Sequence, residues 1–135
     1  MALLVWNESY SVKIKTIDDQ HKKLIDMINE FYESIKSKTN NESILELLIK
    51  MKEYTVFHFN TEEAYFKQFN FEGFEYHKKE HDVFIEKVID VERRFNDGTL
   101  VLSFELTNFL KDWLKEHIMG TDMQYVDFLL EKGVK

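Results

Sequence analysis

The chain has 135 residues, the size of one compact domain, and its 44% hydrophobic content can bury a single core. It contains no cysteine, which excludes disulfides, iron–sulfur clusters, thiolate zinc sites and cysteine nucleophiles, so any bound metal must be held by nitrogen and oxygen. A net charge of -7, from 18 bases against 25 acids, is repelled by phosphate backbones and anionic lipid, so no nucleic acid is expected as a partner; the plainer meaning of such a surface is solubility.

Proline is absent and there are only 4 glycines, so little in the chain interrupts helices, and an all-α fold is expected. Met1 to Tyr10 has a short apolar run from Ala2 to Trp6, no basic n-region and an acid at Glu8, which is not the layout of a secretory signal. No stretch approaches the ~20 apolar residues of a membrane span. The expected setting is cytoplasmic, without a membrane span.

Met1 to Ile17 shows no sustained helical period and reads as an extended arm, with Trp6 and Tyr10 pinning it to the rest. From Asp18 or Asp19, either of which could cap a helix, an apolar stripe runs through His21, Leu24, Ile28, Phe31 and Ile35 and ends near Ser37. A polar turn over Lys38 to Asn41 precedes a second stripe through Ile44, Leu48, Met51, Thr55, His58, Glu62 and Tyr65. The pattern breaks at Asn70 to Gly73. A third stripe, Phe74, His77, His81, Phe84, Val88, Val91 and Phe95, then runs to the turn signal Asn96-Asp97-Gly98. A fourth starts near Ser103, a plausible N-cap, with Leu106, Leu110, Trp113 and His117 on one face. Beyond Gly120, Met123, Val126, Leu129 and Leu130 form a last helical piece that stops at Gly133. The expected architecture is an up-down-up-down four-helix bundle with an extended N-terminal arm and a short C-terminal helix, one domain over residues 1–135.

All 5 histidines lie on these stripes. A lone histidine on an apolar stripe is usually a core residue satisfied by a hydrogen bond. Five imidazoles in one small core need a common partner, and a bound metal satisfies several at once. Glu62 follows His58 by four residues, which on a helix leaves the two side chains only ~40° apart, and His77 and His81 repeat that spacing. Asp122 follows His117 by five, which on an ideal helix swings it ~140° away. Gly120 lies between them and could relax the backbone, so a widened turn or a break is expected there, returning Asp122 to the core. Alone, Glu62 could be an exposed acid and Asp122 an N-cap for the last helix. Five imidazoles and two carboxylates exceed what one tetrahedral or octahedral ion takes, so two metals are implied; such ligation suits iron, while manganese, zinc or cobalt could use the same donors.

The spacing His21, His58-x-x-x-Glu62, His77-x-x-x-His81, His117-x-x-x-x-Asp122 resembles the ligand signature of the hemerythrins. Trp6, Tyr10-Ser11-Val12 and Asp19-Gln20-His21 resemble the single-domain bacterial members in particular. The resemblance implies a non-haem di-iron centre, oxo- or hydroxo-bridged, with one iron on His77, His81 and His117, the other on His21 and His58, and Glu62 and Asp122 bridging both. It further implies reversible dioxygen binding at the iron with two histidines, inside an apolar pocket of Leu24, Phe59, Trp113, Leu114 and Ile118 with Tyr125 close by; each of these six could equally be ordinary core.

An oxygen carrier or store is therefore expected, not an enzyme. The rival is a di-iron oxidase or peroxidase, but oxidising centres of the ferritin type use carboxylate-rich Glu-x-x-His pairs, and none occurs among the candidate ligands. A regulatory or metal-handling module is the third reading. Dioxygen is the expected partner, with an electron donor or an oxygen-using enzyme as further candidates.

Overall fold

The computed structural model describes residues 4–37, 41–96 and 104–134. Among them all regular structure is helical. Helix α1 spans Lys15–Lys36, α2 Asn41–Phe69, α3 Phe74–Asn96, α4 Phe104–Glu116 and α5 Val126–Glu131. Helix α1 packs on α2 and α4, and α2 packs on α3. Phe84 of α3 closes the ring against Trp113 of α4, with ring centroids 4.3 Å apart. This is the expected four-helix bundle. The turns expected at 38–41 and 96–98, the Ser103 cap and the side chain of Leu106 lie wholly or partly outside the described residues.

The expected extended arm is broken by a 3-10 turn over Glu8–Tyr10, closed by its own backbone hydrogen bonds, and side chains tie the arm to α1. Asn29 on α1 accepts from the Leu4 backbone N–H at 2.9 Å and donates to the Leu4 carbonyl at 2.7 Å. Tyr10 is buried and Trp6 packs beside it, as expected of pinning residues. The start of α1 differs from expectation. Neither Asp18 nor Asp19 caps it, because the helix begins at Lys15 after an extended Ile14. Asp18, inside the first turn, instead reaches back to accept the Val12 N–H at 2.8 Å and the Ser11 hydroxyl at 2.6 Å. That grip holds the arm so that Val12, Ile14 and Ile17 are buried.

Two apolar clusters result. One, containing Leu24, Ile28, Phe31, Leu48, Met51, Phe84 and Leu110, fills the bundle around α1, α2 and α3. The other joins Val12, Ile14 and Ile17 to Phe66, Tyr125 and Leu129, using the arm and α5 to cover one end. Five buried histidines, Glu62 and Asp122 form a polar layer between them. Phe59 of the first cluster stacks on His81 with centroids 3.7 Å apart, and Phe66 of the second lies 4.8 Å from His77.

Candidate metal centre

Each of the first three helices delivers part of this layer: His21 from α1, His58 and Glu62 from α2, His77 and His81 from α3. The last two members come from an irregular segment. After α4 the chain makes a π turn over His117–Thr121 and a 3-10 turn over Asp122–Tyr125. The Asp122 N–H reaches the His117 carbonyl across five residues, the widened turn that the spacing required. Asp122 is thereby turned inward, fully buried beside His117. Gly120 is not what permits the turn, contrary to expectation. It has no positive φ, and a Cβ placed on it would meet nothing within 4 Å.

All five imidazoles aim Nε2 at the two carboxylates. Asp122 Oδ1 lies 2.8 Å from His77 Nε2 and 3.0 Å from His117 Nε2, while its Oδ2 lies 3.1 Å from His21 Nε2. Glu62 Oε1 lies 3.2 Å from His58 Nε2 and 3.4 Å from His81 Nε2. The donors fall into two compact sets, Glu62, His77, His81, His117 and Asp122 in one and His21, His58, Glu62 and Asp122 in the other. Glu62 and Asp122 belong to both.

Outward ring nitrogens are held by groups that sequence spacing did not single out. His58 Nδ1 donates to the Gln20 carbonyl oxygen at 2.6 Å, and the Gln20 amide donates in turn to the Thr61 hydroxyl. His81 Nδ1 donates to Glu63 at 2.9 Å and His117 Nδ1 to Glu80 at 2.9 Å. The Tyr125 hydroxyl donates to Glu62 Oε2 at 2.6 Å. These contacts cross between helices, so no periodicity within one helix could have shown them. With Nδ1 of His81 and His117 donating outward, their Nε2 lone pairs face each other at 3.1 Å.

Two lone pairs that close repel unless a cation lies between them. The same need appears at both His21 ring nitrogens, His77 Nε2, Glu62 Oε1 and both Asp122 oxygens, all buried without a hydrogen-bond partner. The donor set therefore fits a metal ion. Without one, protons must do the same work. Burial disfavours charge on His117, but the adjacent Asp122 carboxylate and the hydrogen bond to Glu80 outweigh it and raise its pKa to about 10. Burial and the Asp122 charge would raise Glu62, yet His58 and His81 hold it well below the usual carboxylate range. Asp122 is lowered too, because His117, His21 and His77 together overcome its burial. The His117 hydrogen bond chiefly brings Glu80 down to about 2.

Comparison with known proteins agrees with this geometry. The family model described as the hemerythrin HHE cation binding domain matches residues 12–129.

The chain belongs to the hemerythrin family.

Among its hemerythrin relatives, the bacteriohemerythrin of Clostridium acetobutylicum is 32% identical over 130 residues, covering 93% of this chain and 100% of that protein. The bacteriohemerythrin of Pseudomonas aeruginosa is 35% identical, covering 94% and 82%. A crystal structure of wild-type hemerythrin superposes with a TM-score of 0.89 at 30% identity, covering 93% of this chain and 97% of that one. The stretch matched as a cation binding domain thus contains the whole buried cluster of histidine, glutamate and aspartate.

Beside the cluster lies a small cavity of about 10 Å³ lined by Leu24, Ile28, Met51, Thr55, Phe59, Phe84, Trp113 and Leu114. Four of the six residues that the resemblance assigned to an oxygen pocket are therefore on its wall. Ile118 is buried in the same cluster but off that wall. Tyr125 sits in the other cluster, hydrogen-bonded to Glu62. Ile28, Met51, Thr55 and Phe84 were not singled out, because on their stripes they look like any core residue. The one polar wall residue, Thr55, spends its hydroxyl on the Met51 carbonyl at 2.7 Å. The cavity is therefore apolar in effect, and a space of this size and lining stays dry.

Proposed function

We propose that this hemerythrin-family chain is one domain that binds dioxygen reversibly at a pair of iron ions and serves as an oxygen carrier or store. The observation that carries the reading is the pair of overlapping donor sets that share Glu62 and Asp122. His77, His81 and His117 would hold one iron and His21 and His58 the other, with both carboxylates common to the two. When bound, a pair of ferrous ions supplies dioxygen with electrons that are recovered on release.

The protein's own part is positioning and exclusion. Phe59 lies flat on His81 and Trp113 on His117, the latter with centroids 4.5 Å apart, fixing two imidazoles of one set. Leu24, Thr55, Phe84 and Leu114 lie about one helical turn from His21, His58, His81 and His117, so the cavity they line adjoins both donor sets, the two-histidine set included. An apolar wall there keeps out water and the protons it would bring, which favours release of dioxygen over irreversible oxidation.

Carriage rather than catalysis is supported by the donor chemistry. Nitrogen-rich ligation gives less support to high metal oxidation states than the carboxylate-rich sets of oxidising centres. A cavity of about 10 Å³ is far below the size of a pocket for an organic substrate. Dioxygen is then the direct partner, and an electron donor or an oxygen-using enzyme would act before or after it.

The test is metal content together with the visible spectrum of the reduced protein before air, after air and after oxygen removal. About two irons per chain and an absorption band that appears with oxygen and vanishes on its removal are expected. Rapid irreversible oxidation would favour an enzyme, and zinc or no metal would overturn the reading.

A further inference from the structure

Three of the five histidines have their outward ring nitrogens held by side chains, and those side chains differ in charge. In the three-histidine set, His81 donates to the Glu63 carboxylate and His117 to the Glu80 carboxylate. In the two-histidine set, His58 donates to the neutral Gln20 amide, and His21 Nδ1 has no hydrogen-bond partner. Two anions thus press on one set and none on the other.

Neither carboxylate is placed by chance. Glu80 is fixed by the Thr121 hydroxyl, which lies 2.9 and 3.0 Å from its two oxygens. Thr121 belongs to the π turn, so the backbone irregularity that turns Asp122 inward also secures Glu80. Glu63 lines a groove of about 380 Å³ between α2 and α3, together with His81, Asn60 and Asp82. Both acids keep contact with water, with side chains 14% exposed at Glu63 and 26% at Glu80, while the imidazoles that donate to them are buried.

A carboxylate that accepts an imidazole N–H draws that proton towards itself and makes the opposite nitrogen a stronger donor. Its negative charge also favours a more highly charged ion beyond the ring. We propose that Glu63 and Glu80 are positioning residues that make the three-histidine position the tighter and more easily oxidised of two unlike metal positions. The inference rests on the two-metal reading above. It adds to that reading an electrical asymmetry, built from groups that touch no metal themselves.

The test uses the full-length, metal-loaded chain as wild type and as Glu63→Gln, Glu80→Gln, Gln20→Glu and Asp82→Asn. Glutamine keeps the shape of the acceptor and removes only the charge. Asp82 shares the groove with Glu63, but its carboxylate pairs with Lys78 rather than with a histidine, so Asp82→Asn controls for simple loss of a nearby charge. The readouts are metal stoichiometry, affinity for zinc by competition with a chelator, and midpoint potential by mediated redox titration of the iron form.

Glu63→Gln and Glu80→Gln are expected to keep wild-type stoichiometry, to weaken one of the two zinc-binding steps by roughly 10–100-fold, and to raise the midpoint potential. Gln20→Glu, which adds an anion to the other set, should lower the potential, and Asp82→Asn should change neither quantity. Wild-type affinity and potential in both glutamine variants, or equal shifts in Asp82→Asn, would overturn the proposal. A wild-type chain that takes up no metal defeats the two-metal reading instead, and the stoichiometry measurement separates the two failures.

Discussion

The Tyr125 hydroxyl donates a 2.6 Å hydrogen bond to Glu62 Oε2, joining the 3-10 turn after α4 to the middle of α2 across 63 residues of sequence. Both groups are fully buried. Glu62 also faces the histidines through its other oxygen, so this bond fixes the rotation of a carboxylate common to both donor sets. Tyr125→Phe removes the hydroxyl and keeps the ring packed on Phe66. Loss of a hydrogen bond to a charged group should cost about 2 kcal/mol of stability, read from denaturant unfolding of the metal-free chain. An unchanged midpoint would show that the bond does not hold Glu62.

Removing either shared carboxylate should be more damaging to metal binding. Glu62→Ala and Asp122→Ala each take a donor from both sets and remove the carboxylate that faces the Nε2 atoms of two or three histidines. Metal content by elemental analysis should fall in both variants. Wild-type loading in both would mean that the buried layer is not the metal site.

Gly120 offers a contrary case. Since it has no positive φ and a Cβ there would meet nothing within 4 Å, Gly120→Ala should keep the π turn and the metal content. Reduced freedom of the unfolded chain should add roughly 0.5–1 kcal/mol of stability. A loss of stability would show that the turn does depend on glycine.

Enlarging the dry cavity should trade stability and oxidation resistance together. Leu24 is buried on its wall, and Leu24→Ala should destabilise the fold by about 2–5 kcal/mol. The extra room should admit water and speed air oxidation of the ferrous form while iron content is retained. An unchanged oxidation rate, followed by stopped-flow absorbance, would remove the cavity from the functional account.

The metal-free chain should be most stable near neutral pH. Glu62, Asp122 and Glu80 have depressed pKa values, so their contribution is present above the ordinary carboxylate value of ~4.5 and is lost as pH falls through their folded values, about 2 for Glu80. His117 is raised to about 10, so its contribution is complete below ~6.5 and is lost as pH rises towards 10. Denaturant midpoints at pH 3, 7 and 10 should therefore peak at the middle value. A midpoint that rose steadily with pH would contradict the sign assigned to His117.

The order of the helices, the stripe positions of His21, His58, Glu62, His77, His81 and His117, and the need for an irregular turn before Asp122 were legible in the sequence alone. Helical periodicity and an i, i+4 or i, i+5 spacing are local properties, and local geometry follows from residue order. Asp18 shows the limit: the same residue suits a helix cap or a grip on the arm, and only the path of Ser11 and Val12 decided for the grip. The partners of the imidazoles, Gln20, Glu63 and Glu80, and the bond from Tyr125 to Glu62 join different helices, as do the cavity walls at Met51 and Phe84. Which charged side chain meets which ring depends on helix crossing and rotation. Those are set by the packing of the whole core, and they emerge only when the helices come together.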